Sequence, residues 1–241
     1  MPALVLLHAF PLDGTMWERE VRALADVASP VIAPNVPGFG GTSVPKTQPT
    51  LDDYADAVAA AMDEAKVERA AVAGLSMGGY VAFALWRKHR PRIERLALID
   101  TKAEADAPEA AANRVRLAAT LREHGVEALL KTPPKWLRDE SPHWDRLKAM
   151  TRAQDKEAVA QASVAMSTRA DSTKDLASID VPTAVIVGEA DVITPLANAK
   201  TMAESIEGAS LSVLPDAGHI SNIEAPEAFD KAIRAWLTRR S

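Results

Sequence analysis

The chain has no cysteine among its 241 residues. That excludes disulfide bonds, thiolate-held metal sites and a cysteine nucleophile together. It fits a reducing compartment, so a cytoplasmic location is the expectation. Positive charge is also short: 28 Lys and Arg face 33 Asp and Glu, leaving a net charge of −5. That balance argues against nucleic acid or an anionic membrane surface as a partner. No apolar run reaches the roughly 18 residues of a membrane-crossing helix. The stretch Ala3-Leu-Val-Leu-Leu7 is too short for a signal-peptide core and lacks a basic flank, so it reads as a buried strand. The remaining composition, 47% hydrophobic and 25% charged, supports a full core rather than disorder. The length suits one large α/β domain, with or without an inserted cap.

The most informative segment is Gly74-Leu-Ser-Met-Gly-Gly79, directly after the apolar run Arg69-Ala-Ala-Val-Ala73. A Gly-x-Ser-x-Gly pattern at a strand end is a sharp strand-to-helix turn that presents a serine hydroxyl, here Ser76. Glycines on either side let neighbouring backbone pass close to the turn. The pentapeptide alone also occurs in incidental turns, so its surroundings matter. Apolar residues after it fall at helical spacing through Val81, Ala84 and Leu85, and Pro91 ends the pattern. Strand, turn and helix are in the required order.

A base and an acid stand where such a serine needs them. The β-branched run 185–187 leads into Gly188-Glu-Ala-Asp191, and the run 211–214 leads into Pro215-Asp-Ala-Gly-His219. Loops that follow parallel strands emerge at one sheet edge, so Ser76, Asp191 and His219 can converge from distant positions. Asp100, at the end of an earlier strand, is the competing acid. His8 is the competing histidine, read as a buried structural partner; His89, His124 and His143 read as solvated. Glu189 and Glu224 read as surface or cap residues.

Together with His8-Ala-Phe-Pro-Leu12, Pro37-Gly-Phe-Gly-Gly-Thr-Ser43 and Gly218-His-Ile-Ser-Asn-Ile-Glu-Ala-Pro226, these motifs resemble the α/β-hydrolase superfamily. The resemblance is to its serine carboxylesterase and 3-oxoadipate enol-lactonase-like branch. It implies a Ser76–His219–Asp191 triad and an oxyanion hole from the backbone N–H groups of Phe10 and Met77. Met77 opens the helix after the serine, where amides lack partners and the dipole is positive. Relatives carry glycine where Ala9 stands; a loop that needed positive φ there would be strained. The expected activity is hydrolysis of small or medium acyl esters, with water as acceptor and neither cofactor nor metal. Lactone hydrolysis is the alternative within the fold. Thioesterase, acyltransferase and perhydrolase chemistry would use the same residues, and hydroxynitrile lyases keep the triad. A hydrolase-fold binding protein without turnover is the alternative of another class. Dehalogenases and epoxide hydrolases use aspartate at the elbow, so Ser76 argues against both.

Strands are expected near 3–8, 31–34, 69–73, 95–100, 183–188 and 210–214, with helices near 15–26, 51–65, 77–89, 196–206 and 225–239. This alternation predicts a doubly wound, six-stranded parallel sheet. Residues 1–102 and 179–241 form the expected core. Residues 103–178 break the alternation with helical patterns at 110–121 and 156–167, and the resemblance makes them a small helical cap. A plain surface insertion is the alternative. Leu129, Leu130, Trp136, Leu137 and Trp144 are the apolar residues of this segment, with Trp136 and Leu137 expected in the substrate pocket. Oligomeric state is left open.

Overall fold

The computed structural model describes residues 1–239; residues 240 and 241, the end of the expected core segment, lie outside the described residues. Six strands form one parallel sheet: β1 (Ala3–Leu7), β2 (Val31–Ile32), β3 (Ala70–Leu75), β4 (Ile93–Ile99), β5 (Thr183–Gly188) and β6 (Ser210–Leu214). Their order is β2-β1-β3-β4-β5-β6, and every neighbouring pair is parallel. The central strands read as nearly unbroken apolar runs because helices cover both faces; β3 and β5 are buried along their whole length.

Helices follow as α1 (Glu18–Ala23), α2 (Leu51–Glu64), α3 (Met77–His89), α4 (Pro108–His124), α5 (Glu127–Lys131), α6 (Trp144–Arg152), α7 (Lys156–Ser167), α8 (Leu196–Ser205), α9 (Ser221–Glu224) and α10 (Pro226–Thr238). The step from β1 to β2 goes to one edge; every later step goes towards the other. Right-handed crossovers then put α1 on one face and α2, α3 and α8 on the opposite one. α10 joins α1, where Arg234 pairs with Asp26 at 2.8 Å. The reversal of direction beside β1 opens a crevice at the carboxyl ends of β1 and β3.

Local signals explain the element ends. Thr50 and Asp53 form a full capping box at the start of α2, the Thr50 N–H donating to Asp53 at 2.7 Å. The helix expected over 15–26 is shorter: Asp13 caps a 3₁₀ turn at Gly14–Trp17, and α1 stops at Ala23. β2 pairs over only two residues.

Between β4 and β5 the chain makes α4 to α7. α4 packs along α7, and Leu129, Leu130, Trp136 and Leu137 are buried, while Trp144 is half-buried. The segment is tied to loops at the carboxyl edge of the sheet. Gln154 reaches Asp13 at 2.6 Å, Gln161 reaches the Pro45 carbonyl at 2.9 Å, and the Ile220 N–H donates to the Trp136 carbonyl at 2.9 Å. Among the described residues, no helix is long and apolar enough to cross a membrane.

Candidate active site

Ser76 sits between β3 and α3 with φ 55° and ψ −113°, a conformation that non-glycine residues rarely adopt. Its surroundings hold it there. The Ser76 N–H donates to the Ile99 carbonyl at 2.9 Å, and the Thr101 hydroxyl donates to the Ser76 carbonyl at 2.9 Å. The turn also needs its glycines: a Cβ at Gly74 would lie 2.2 Å from the Gly78 carbonyl oxygen, and one at Gly78 2.2 Å from that of Leu7.

His219, on the loop after β6, places Nε2 2.8 Å from Ser76 Oγ and Nδ1 2.9 Å from Asp191 Oδ2. All three side chains are almost fully buried. The arrangement suits the tautomer in which Nδ1–H donates to Asp191 and Nε2 accepts from the serine. Asp191 receives three more hydrogen bonds, from the N–H groups of Ile193 (2.8 Å) and Thr194 (3.0 Å) and from the Thr194 hydroxyl (2.6 Å). Burial pushes its carboxyl up, but the His219 hydrogen bond and charge, with the Thr194 bonds, outweigh that and hold it below the ordinary value. Thr194 carries no motif of its own; its only sequence signal is a hydroxyl three residues after an aspartate, one residue beyond the Ile193 N–H that closes the Asx turn.

The other expected residues fall as follows. Among the described residues, the N–H groups of Phe10 and Met77 donate to no protein acceptor. Both belong to the turns that flank the crevice, after β1 and β3. Ala9 is not among the residues with positive φ, so the alanine carries no strain of that kind. His8 is buried away from the serine: it donates from Nδ1 to the Ala9 carbonyl (3.1 Å) and accepts the Val36 N–H at Nε2 (3.2 Å). Burial pulls its pKa down to about 4, so it stays neutral in this structural role. Asp100 directly follows β4 at φ 41° and takes the Gly188 N–H (2.8 Å) and the Ser221 N–H (3.2 Å) and hydroxyl (2.5 Å), not the histidine. Burial, then the charge of Asp191, pushes its carboxyl well above the usual range. Trp136 and Leu137 are 3% and 1% exposed, with the Trp136 carbonyl bonded to the loop that carries His219. His89 lies half-exposed against Asp56 at 2.7 Å. Glu224 departs from its surface reading: its side chain is 1% exposed.

A parallel sheet with a serine on a strained strand-to-helix turn, and a histidine and a carboxylate on later strand-end loops, defines an α/β hydrolase. The family model described as alpha/beta hydrolase fold matches residues 2–226, and the chain belongs to that family. A solved thermophilic esterase from Thermogutta terrifontis, with malate bound, is 37% identical with a TM-score of 0.94, over 98% of this chain and 89% of that one. The enol-lactonase from Burkholderia xenovorans LB400 is 33% identical with a TM-score of 0.87, over 99% of this chain and 92% of that one. The 3-oxoadipate enol-lactonase 2 of Acinetobacter baylyi is 28% identical over 244 residues, covering 99% of this chain and 89% of that protein.

Proposed function

We propose that this hydrolase is a serine carboxylic ester hydrolase acting on small or medium acyl esters through an acyl-enzyme. The observation that carries the reading is the continuous contact from Ser76 Oγ through the His219 ring to Asp191, with distances of 2.8 and 2.9 Å. His219 takes the Ser76 proton as Oγ attacks the acyl carbonyl, and Asp191 holds the ring and stabilises the imidazolium. The N–H groups of Phe10 and Met77 receive the oxyanion, a contribution worth about 10²–10³ in turnover per donor. The imidazolium then protonates the leaving alcohol. Water, deprotonated by the same ring, attacks the acyl-enzyme; the carboxylic acid leaves and Ser76 is restored. Residues 103–178 act as the cap that bounds the acyl pocket, with Trp136 and Leu137 in its wall.

The enol-lactonase relatives favour a second reading, in which the ester is cyclic and alcohol and acid leave as one molecule. An organophosphate should add one adduct mass to the wild-type protein, on Ser76, and Ser76→Ala should abolish both the adduct and turnover of p-nitrophenyl acetate. An adduct elsewhere, or near-full turnover in the variant, sinks the assignment. Comparing turnover of linear esters with that of lactones on the unlabelled wild-type enzyme separates the two readings.

A further inference from the structure

Glu224 ends α9, five residues beyond His219, and its carboxylate turns back beneath its own loop. Oε2 accepts the Gly218 N–H at 2.7 Å and the Arg138 N–H at 3.3 Å; Oε1 accepts the Arg138 N–H at 3.2 Å. The Arg138 guanidinium lies 3.7 Å from Oε1. On the other flank of His219, the Ile220 N–H donates to the Trp136 carbonyl at 2.9 Å. Both chain neighbours of His219 are therefore bonded to one short piece of the helical insertion. One bond is direct; the other runs through Glu224.

We infer that Glu224 is a positioning residue for His219, and that the base is aligned with Ser76 only while Trp136–Arg138 is seated on its loop. This rests on the catalytic reading of Ser76 and His219 given above. Gly218, which precedes the histidine, has no side chain to restrict its backbone. Without Glu224 its amide loses its acceptor, and the turn is free to reorient towards another partner. Misplacing a reacting group by about 1 Å can cost about 10²-fold in rate. A glutamine can still offer one oxygen to both N–H groups, as Oε2 does now; an alanine offers none.

The test uses full-length wild type, Glu224→Ala and Glu224→Gln. The readouts are p-nitrophenyl acetate turnover, the rate of Ser76 phosphonylation by an organophosphate, and the downfield proton resonance of His219 Nδ1–H. Glu224→Ala should lower kcat and the phosphonylation rate together by about 10–100-fold, with KM little changed, and should shift or broaden the resonance. Glu224→Gln should restore rate and resonance, which a role only in stability would not require. A folded Glu224→Ala enzyme with unchanged kcat and an unchanged resonance overturns the inference. If that variant does not fold, Glu224→Asp is read by the same criteria, because its shorter side chain cannot span both amides. Failure of the wild type to label at Ser76 defeats the catalytic reading and the inference with it. Normal labelling of both wild type and Glu224→Ala at equal rates defeats the inference alone.

Discussion

The Ser221 hydroxyl lies 2.5 Å from Asp100 Oδ2, so the carboxylate just past β4 holds the loop beyond His219 rather than the imidazole itself. Asp100 Oδ1 accepts the Gly188 N–H at 2.8 Å, at the start of the loop that carries Asp191. One buried carboxylate thus joins the two loops, and a different one touches the ring.

The two aspartates should respond differently to amide substitution. Asp191→Asn removes the partner that sets the His219 tautomer, and turnover should fall on the order of 10⁴-fold, as for the buried aspartate of a serine-protease triad. Asp100→Asn turns an acceptor into a donor facing backbone N–H groups, at a stability cost of about 1–3 kcal/mol for the unpaired group. Its melting temperature should drop while turnover of the folded enzyme falls far less. Measuring kcat and Tm on both variants checks this; equal or reversed losses in kcat would move the acid to Asp100.

The strands, their order of use and the elbow were readable because each depends on neighbours in sequence: an apolar run, then glycine, then a functional side chain. Ser76, Asp191 and His219 could be picked out by the same logic of strand ends. Glu224 could not. It lies inside the Gly218–Pro226 motif that carries the resemblance, but the sequence does not show what it touches, because its partner Arg138 arrives from the insertion. Asp100 was ambiguous for a related reason. A carboxylate at a strand end is visible, but whether it faces His219 or Ser221 is decided by packing of the following loop. Inside 103–178, helical periodicity was plain where α4 and α7 pack on each other. It was weak for α5 and α6, which are short, lack a side-chain cap and are joined to each other by Arg152 and Glu127 at 2.6 Å.

Glu20 gives stability a dependence on pH. It is 1% exposed on α1, and its Oε1 has no hydrogen-bond partner among the described residues. Burial is the main cause that pushes its pKa from 4.5 to about 7; the Asn222 side chain and Arg19 oppose the rise, and the charge of Asp230 adds to it. The folded-state value is raised, so the folded protein favours the neutral acid. That stabilisation is complete below the unfolded value of 4.5 and is lost as pH rises through about 7. The whole swing is about 3 kcal/mol, from roughly 1.4 kcal/mol per pKa unit. Glu20→Gln should flatten this slope, raising Tm relative to wild type more at about pH 8 than at about pH 5. Parallel Tm profiles for the two proteins would refute it.

Gln154 tests whether the helical insertion is a separable cap. It lies between α6 and α7 and is 6% exposed. Its Nε2 donates to Asp13 at 2.6 Å and to the Met150 carbonyl at 2.9 Å, while its Oε1 accepts the Gly40 N–H at 3.0 Å. One amide therefore fastens the insertion to the loops after β1 and β2. The bond also matters to Asp13: burial pushes that carboxyl up, and hydrogen bonds from Thr15 and Gln154 bring it below its ordinary value. Gln154→Leu keeps much of the volume but leaves Asp13 and the Gly40 N–H each short of a partner. The cost should be about 1–3 kcal/mol for a buried group left unsatisfied. If residues 103–178 open as a unit, that cost falls on local opening. Amide hydrogen exchange should then speed up in α6 and α7 while β3 and β4 keep their protection. The same variant should hydrolyse a minimal acetate ester at near wild-type rate but discriminate less among longer acyl chains, where each methylene is worth at most about 1–3 kcal/mol. Uniform loss of protection across β3, β4, α6 and α7 would mean that the insertion is an inseparable part of the core, and an unchanged chain-length profile would assign specificity to the loops around Phe10 and Met77.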